Sequence, residues 1–418
     1  MNELIAECAA GSQPAFIVIA ALCDVDERSL VGAESVAPQA RLYRDFRKLF
    51  EDVDDGVLEV DAVMVSTPDH THACATSFAL ACRLPVYCEK PLTHTASQAR
   101  AIARLAQEVG VPTQMGNQIH AGDNYRAVVE LIRSGAIGEV TAADGWDARS
   151  WCCGALTPDA RVPDHLNWDL WQGPAAASAY IDGISPGNWR RYWNYGNGTL
   201  GDMACHILDL PFWALGLAER DNLSAEVRAT GPSPDLIGCP TSLEVSWAIH
   251  SAHDLPRSDP LNFRWFDGGS ISPTVQELAG KDRHDYAGRF NMLFQGTKGF
   301  LFSNYNEHLV LPHALAAEVR PPAPTLPRLR GHHREWIDAV RAWVSGRPDA
   351  AAMTSSNFAY AARLTELVLI GTAAFRAQSP ISYDFGEGAF TGPAAERATR
   401  LLNEPARDGW QMRTRAKG

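Results

Sequence analysis

The sequence predicts two domains: an α/β domain built on a parallel, doubly wound sheet, followed by an α+β domain with an antiparallel sheet. Three observations carry this. Short, wholly apolar runs alternate with helical segments over residues 1–121. From about Glu139 that alternation stops, and alternating apolar and polar runs follow a stretch rich in Trp, Gly and Pro. A Pro-rich linker near Pro321–Pro327 then precedes two C-terminal helices. Fully apolar strands separated by helices are buried on both faces, and right-handed crossovers wind such a sheet doubly.

In order, Asn2–Ala10 carries Leu4, Ile5 and Cys8 at helical spacing, and Phe16–Cys23 (FIVIAALC) reads as a strand. Arg47–Phe50 falls in a short helix. Val60–Ser66 is a buried strand stopped by Thr67-Pro68-Asp69, and Ala73–Ala81 is helical. Val86–Glu89 is the next strand. Thr95 is placed to cap a helix that runs to Val109 and ends at Gly110. Thr113–Gly116 is a further strand, and Asn124–Arg133 a helix ending at Gly135. In the second domain, 122–418, one strong helix spans Leu200–Leu215. Strands follow at Leu223–Thr230, Leu243–Ile249, Phe290–Gln295 and Gly299–Asn304. Helices His332–Trp343 and Asn357–Phe375 close the chain and are expected to pack back on the first domain.

Composition narrows the function. At 418 residues the chain is long enough for two or three domains. Its 37 Lys and Arg against 49 Asp and Glu leave a net charge of −12 with no basic stripe, which argues against nucleic acid. No uninterrupted apolar run approaches ~18 residues, so no membrane span is expected. Nine cysteines, scattered and without C-x-x-C, fit buried thiols of a reducing compartment rather than disulfides or zinc. A cytoplasmic location follows, with periplasmic export by a twin-arginine signal as the alternative.

Candidate chemistry lies at strand ends. Asp24 closes the first apolar strand, where an acidic side chain accepts the hydroxyls of an adenine ribose and repels a 2′-phosphate. Thr67-Pro68-Asp69-His70-Thr71-His72 and Glu89-Lys90-Pro91 follow two successive strands, at the carboxyl edge where open α/β sheets bind ligands. Lys90 can reach a substrate hydroxyl and stabilise negative charge on its oxygen. Asp202 and His206, four apart on one helix, share a face and suit movement of a hydroxyl proton. The same pair could be half of a metal site, but no further ligands stand at suitable spacing, so no metal is expected. Trp146, Trp151, Trp168, Trp171, Trp189 and Trp193 fall close together, with Arg190 and Arg191 able to bond sugar hydroxyls. Most of those rings are expected to pack in the core.

The order of these motifs resembles the Gfo/Idh/MocA family, the glucose–fructose oxidoreductase and inositol dehydrogenase relatives. The resemblance rests on Asp24, on T-P-x-x-x-H at Thr67, Pro68 and His72, and on E-K-P at Glu89–Pro91. It also rests on the helix Gly198-Thr-Leu-Gly-Asp202-Met-Ala-Cys-His206 with Asp209, on Gln114–His120, and on Gly409-Trp410. It implies an α/β Rossmann domain plus a substrate domain, and NAD-dependent hydride transfer on a sugar, glycoside or cyclitol, with NAD favoured over NADP. By position, Lys90, Asp202 and His206 would be catalytic, Asp202 orienting His206. Asp24, Thr67, Pro68, His72, Glu89, Lys90 and Asn117 would contact the cofactor, and His120, Trp189, Arg190 and His206 the substrate. A homo-oligomer through the second domain's sheet is expected. Two other readings fit the same motifs: an NAD-assisted glycoside hydrolase working by transient oxidation, and a catalytically dead homologue.

The family's opening strand and G-x-G-x-x-G loop have no counterpart, because Met1 stands where the helix after that loop begins. The chain therefore reads as truncated or given a wrong start, or as one that binds the cofactor poorly. In the order 3-2-1-4-5-6 the first strand lies centrally. The Phe16 and Val60 strands are then expected on either side of a gap, leaving two unpaired interior edges.

Overall fold

A computed structural model describes residues 17–152, 154, 160–251, 260–403 and 405–415. The segment Asn2–Ala10, Phe16, Cys8 and Cys153 lie outside the described residues. The first domain holds five short parallel strands: β1 (Ala21–Cys23), β2 (Arg41–Tyr43), β3 (Val63–Val65), β4 (Val86–Cys88) and β5 (Thr113–Met115). They form two sheets, β1-β2 and β3-β4-β5. Among the described residues β1 and β3 do not pair. Both line a cavity of about 1530 Å³, walled by Ile17, Leu22, Val63, Met64, Trp336 and Val340.

The helices between the strands follow from their sequences. Residues Ala96–Val109 begin with a reciprocal cap in which Gln98 N–H donates to Thr95 Oγ1 and Thr95 N–H to Gln98 Oε1. They stop at Gly110, whose φ of 71° is the left-handed conformation glycine adopts without strain. The helix Glu27–Glu34 and strand β2 were not read from the sequence. Leu30 is the one buried residue of that helix, so it has hardly any apolar stripe.

The second domain is organised by a nine-stranded sheet in the order β12-β11-β10-β6-β9-β8-β7-β13-β14. Its strands are β6 (Val140–Asp147), β7 (Leu223–Thr230), β8 (Glu244–Ser251), β9 (Leu261–Asp267), β10 (Met292–Gly296), β11 (Phe300–Ser303), β12 (His308–Leu311), β13 (Ile381–Asp384) and β14 (Ala389–Thr391). All pairs are antiparallel except β6 with β9.

The expected single helix Leu200–Leu215 is two, Gly198–Ile207 and Asp209–Ala214. Pro211 explains the break: it has no N–H to offer the carbonyl of Ile207. The first of the two lies against β6 at Gly145, where a Cβ would come within 3.0 Å of Ile207 Cγ2. This close approach brings Asp202 and His206 over the sheet.

The helix Phe358–Ala377 is long and apolar enough by composition to cross a membrane, yet 89% of its apolar window is buried inside the protein. It packs on Ala96–Val109, on Gly198–Ile207 and on β7. Its length and hydropathy thus serve a core shared by both domains. Ahead of it, His332–Val344 sets Trp336 edge-on to Tyr87 of β4, ring centroids 5.6 Å apart.

Candidate active site between the two domains

Lys90 follows β4 and points at the helix Gly198–Ile207. Its Nζ donates to the Asp202 carbonyl oxygen and to Asp202 Oδ1, each at 2.6 Å. Arg190 Nε donates to the same Oδ1 at 2.9 Å, and Trp151 Nε1 donates to Oδ2 at 2.8 Å. Burial alone would push the Asp202 carboxyl up, but the Lys90 and Arg190 cations hold it well below the usual carboxylate range. Lys90, Asp202 and His206 line one cleft of about 520 Å³, together with Gln118, Arg149, Trp151, Arg190 and Tyr305.

His206 shares that cleft, but its ring makes no hydrogen bond to Asp202. Among the described residues its buried Nδ1 has no partner. Burial first, and the Lys90 cation second, lower its pKa to about 3, so the imidazole is neutral across the physiological range. The expectation that Asp202 orients His206 is corrected here. Both carboxylate oxygens are engaged by Lys90, Arg190 and Trp151, so Asp202 positions Lys90 instead.

The larger cavity runs along the carboxyl ends of β1, β3 and β4 and includes Asp24, Thr67, Pro68, Glu89 and Lys90 in its wall. Asp24 Oδ1 accepts from the Asp26 backbone N–H at 2.8 Å, which aims the carboxylate from the end of β1. Thr67 Oγ1 is buried with no hydrogen-bond partner among the described residues. Glu89 accepts from Gln118 Nε2 at 3.1 Å, while burial raises its carboxyl. An acidic group at one end, an unsatisfied hydroxyl along the wall and a lysine shared with the cleft suit a nicotinamide dinucleotide. Lys90 and Arg190 line both spaces, so cofactor and substrate would meet there.

Four expected contacts are placed differently. His72 lines the cavity, but its two ring nitrogens each lie 2.8 Å from a protein carbonyl, Pro91 O and Thr67 O. It ties the turns after β3 and β4 together rather than offering a nitrogen to a ligand. Asn117 lines neither space: it is fully buried and accepts from Ser356 Oγ at 2.6 Å. His120 lines neither space as well. It is fully buried, with Nδ1 2.9 Å from Asp209 Oδ2 and its ring stacked on Trp213 at 3.9 Å. Trp189 lines the larger cavity, not the cleft, and carries the Arg190 guanidinium 4.1 Å above its ring.

Several cleft residues were missed by the sequence reading. Trp151 belonged to the aromatic run, but nothing singled it out from its neighbours. Arg149 follows the unread strand β6, and Tyr305 sits in the β11–β12 turn, so neither stood in a motif.

Residues 6–117 match the family model "Oxidoreductase family, NAD-binding Rossmann fold", and residues 125–250 match "Oxidoreductase family, C-terminal alpha/beta domain" of the same Gfo/Idh/MocA set. The chain belongs to the Gfo/Idh/MocA oxidoreductase family. An inositol 2-dehydrogenase of Leifsonia xyli subsp. xyli is 38% identical over 110 residues, 26% of this chain and 32% of that protein. A D-apiose dehydrogenase of Rhizobium rhizogenes is 31% identical over 121 residues, 29% of this chain and 34% of that one. The matched regions thus span about a third of the length of these curated relatives. Fold similarity extends much further. An inositol dehydrogenase homologue of Azotobacter vinelandii, solved with NADH and myo-inositol, covers 92% of this chain and 93% of its own. Its TM-score is 0.58 at 17% identity. As a family member, this protein has an NAD-binding Rossmann domain and an α/β second domain with a mostly antiparallel sheet.

Proposed function

We propose that this family member is an NAD-dependent oxidoreductase that moves a hydride between a hydroxyl-bearing carbon of a sugar or cyclitol and nicotinamide C4. The observation that carries the reading is the sharing of Lys90 by the two spaces, one suited to a dinucleotide and one of monosaccharide size. Bound NAD would supply the hydride acceptor. The protein's own residues handle the proton and the charge. The neutral His206 imidazole takes the hydroxyl proton, and the Lys90 ammonium donates to the same oxygen, which gains charge as the C–H bond breaks. Asp202, clamped by Arg190 and Trp151, holds Lys90 on that oxygen. The names of the similar proteins, inositol 2-dehydrogenase and D-apiose dehydrogenase, support a polyol as substrate.

The test is reduction of NAD by a panel of aldoses, glycosides and cyclitols, comparing the wild type with Lys90→Met. Reduction by at least one polyol, lost in the variant, supports the reading. Absence of reduction by every member, with NAD bound, contradicts it. Self-association through the polar face of the nine-stranded sheet, where Ser224, Glu226 and Arg228 of β7 are exposed, belongs to the same proposal. Light scattering reads it.

A further inference from the structure

We propose that the cleft is built for a polyol bearing a carboxylate, such as a uronate or aldonate, with Arg190 and Arg149 receiving the acid group. This deepens the oxidoreductase reading and rests on the same cleft.

Three cations line the cleft, Lys90, Arg149 and Arg190, against one carboxylate, Asp202. Asp202 is shared by Lys90 and Arg190 at 2.6 and 2.9 Å, so within the cleft wall two cations divide one carboxylate. Arg149 is held by Asp147 through Nε and Nη2, at 2.9 and 2.7 Å. Among the described residues, neither Arg149 Nη1 nor Arg190 Nη2 has a hydrogen-bond partner. Arg191 stands behind, its guanidinium 5.8 Å from the Trp151 ring on the cleft wall. The carboxyls of the neighbouring cavity wall that face Lys90, Asp69 and Glu89, are both raised by burial, which weakens their hold on that cation.

A positive cleft in a chain of net charge −12 is a local feature, not an average one. A neutral sugar can accept hydrogen bonds from these cations but brings no charge to balance them. A carboxylate would meet the open guanidinium donors of Arg149 and Arg190, and guanidinium groups suit carboxylate oxygens. Trp151 and Tyr305 supply flat faces for the carbon skeleton, and Gln118 a further amide for hydroxyls. Arg149 lines the cleft alone, whereas Arg190 lines both spaces, so Arg149 separates a substrate effect from a cofactor effect.

The test is calorimetric titration of the protein, with NADH in excess, using two matched pairs: D-glucose with D-glucuronate, and D-galactose with D-galacturonate. Acetate serves as a bare-anion probe. The expected result is an acid bound at least about tenfold tighter than its neutral partner in one pair, the scale of one charge-assisted hydrogen bond. That ratio should collapse to within about threefold in Arg149→Met, whose melting temperature is checked alongside. A neutral member bound as tightly as its acid in both pairs overturns the proposal. So does a ratio unmoved by the variant, binding of acetate as tight as glucuronate, or no binding by any acid. NAD reduction by neutral polyols without acid preference would sink this inference and leave the oxidoreductase reading intact. Tight acid binding with no reduction by any polyol would do the reverse.

Discussion

Lys90 Nζ lies 2.6 Å from both the backbone carbonyl oxygen and Oδ1 of Asp202, joining the end of β4 in one domain to the helix Gly198–Ile207 in the other. The pair is largely buried, with side chains 12% and 9% exposed. Removing one charge from such a pair leaves the other uncompensated, at a cost of about 3–5 kcal/mol. Asp202→Asn is therefore expected to lower stability at neutral pH by that order. The sign with pH is set by the depressed carboxyl: the contribution is present above the unfolded value and is lost as pH falls through the folded one. Denaturant unfolding at several pH values checks this, with the gap between wild type and variant closing in acid.

His206→Ala is expected to lower kcat by ~10²–10⁴ while leaving polyol binding within a few-fold, the pattern of a lost proton acceptor. Single-turnover kinetics with NAD separates the two. A change confined to affinity would mark His206 as a binding residue.

Asp69 is buried beside Arg190, Asp202 and Lys90, and burial raises its pKa to about 8. The raised value means its contribution is full below the unfolded pKa and falls as pH rises toward 8. Asp69→Asn, which stays neutral, should gain melting temperature relative to the wild type as pH increases from about 4 to 8. The difference should then level off. A difference independent of pH would contradict a protonated Asp69.

Asp24 is aimed by the Asp26 N–H at one end of the larger cavity, and its charge would oppose a 2′-phosphate. Asp24→Ser is expected to narrow the preference for NAD over NADP by about tenfold or more, read from the two dissociation constants. Tighter NADP binding by the wild type would overturn the role.

The alternation of elements was legible because β3 and β4 are short apolar runs and turn signals such as Thr67-Pro68 and Gly110 separate the strands from the helices. The helix Ala96–Val109 was legible to its caps, because Thr95, Gln98 and Gly110 act locally. Lys90 was legible from a strand end and the Asp202–His206 pair from an i, i+4 spacing, while their union as one set came from the family resemblance. What they touch was not legible. Arg190 and Trp151 are far from Lys90 in sequence, and they claim the carboxylate that spacing alone offered to His206. Asn117 and His120 were misplaced for a related reason. They follow β5 at the binding edge, but Ser356 and Asp209, brought in by later helices, draw them into the core. The split of Leu200–Leu215 could have been read, since Pro211 stood in view.

Hydride transfer from a polyol carbon to NAD, where the two spaces meet at Lys90, is the step on which the proposed function rests. It is tested most directly by following deuterium from a carbon-deuterated polyol that reduces NAD, with NMR of the nicotinamide product. The account predicts deuterium at nicotinamide C4 in the wild type, and transfer lowered by about two orders of magnitude or more in Lys90→Met with NAD still bound. Deuterium that stays on the polyol or is lost to water, or transfer unchanged in Lys90→Met, would contradict it.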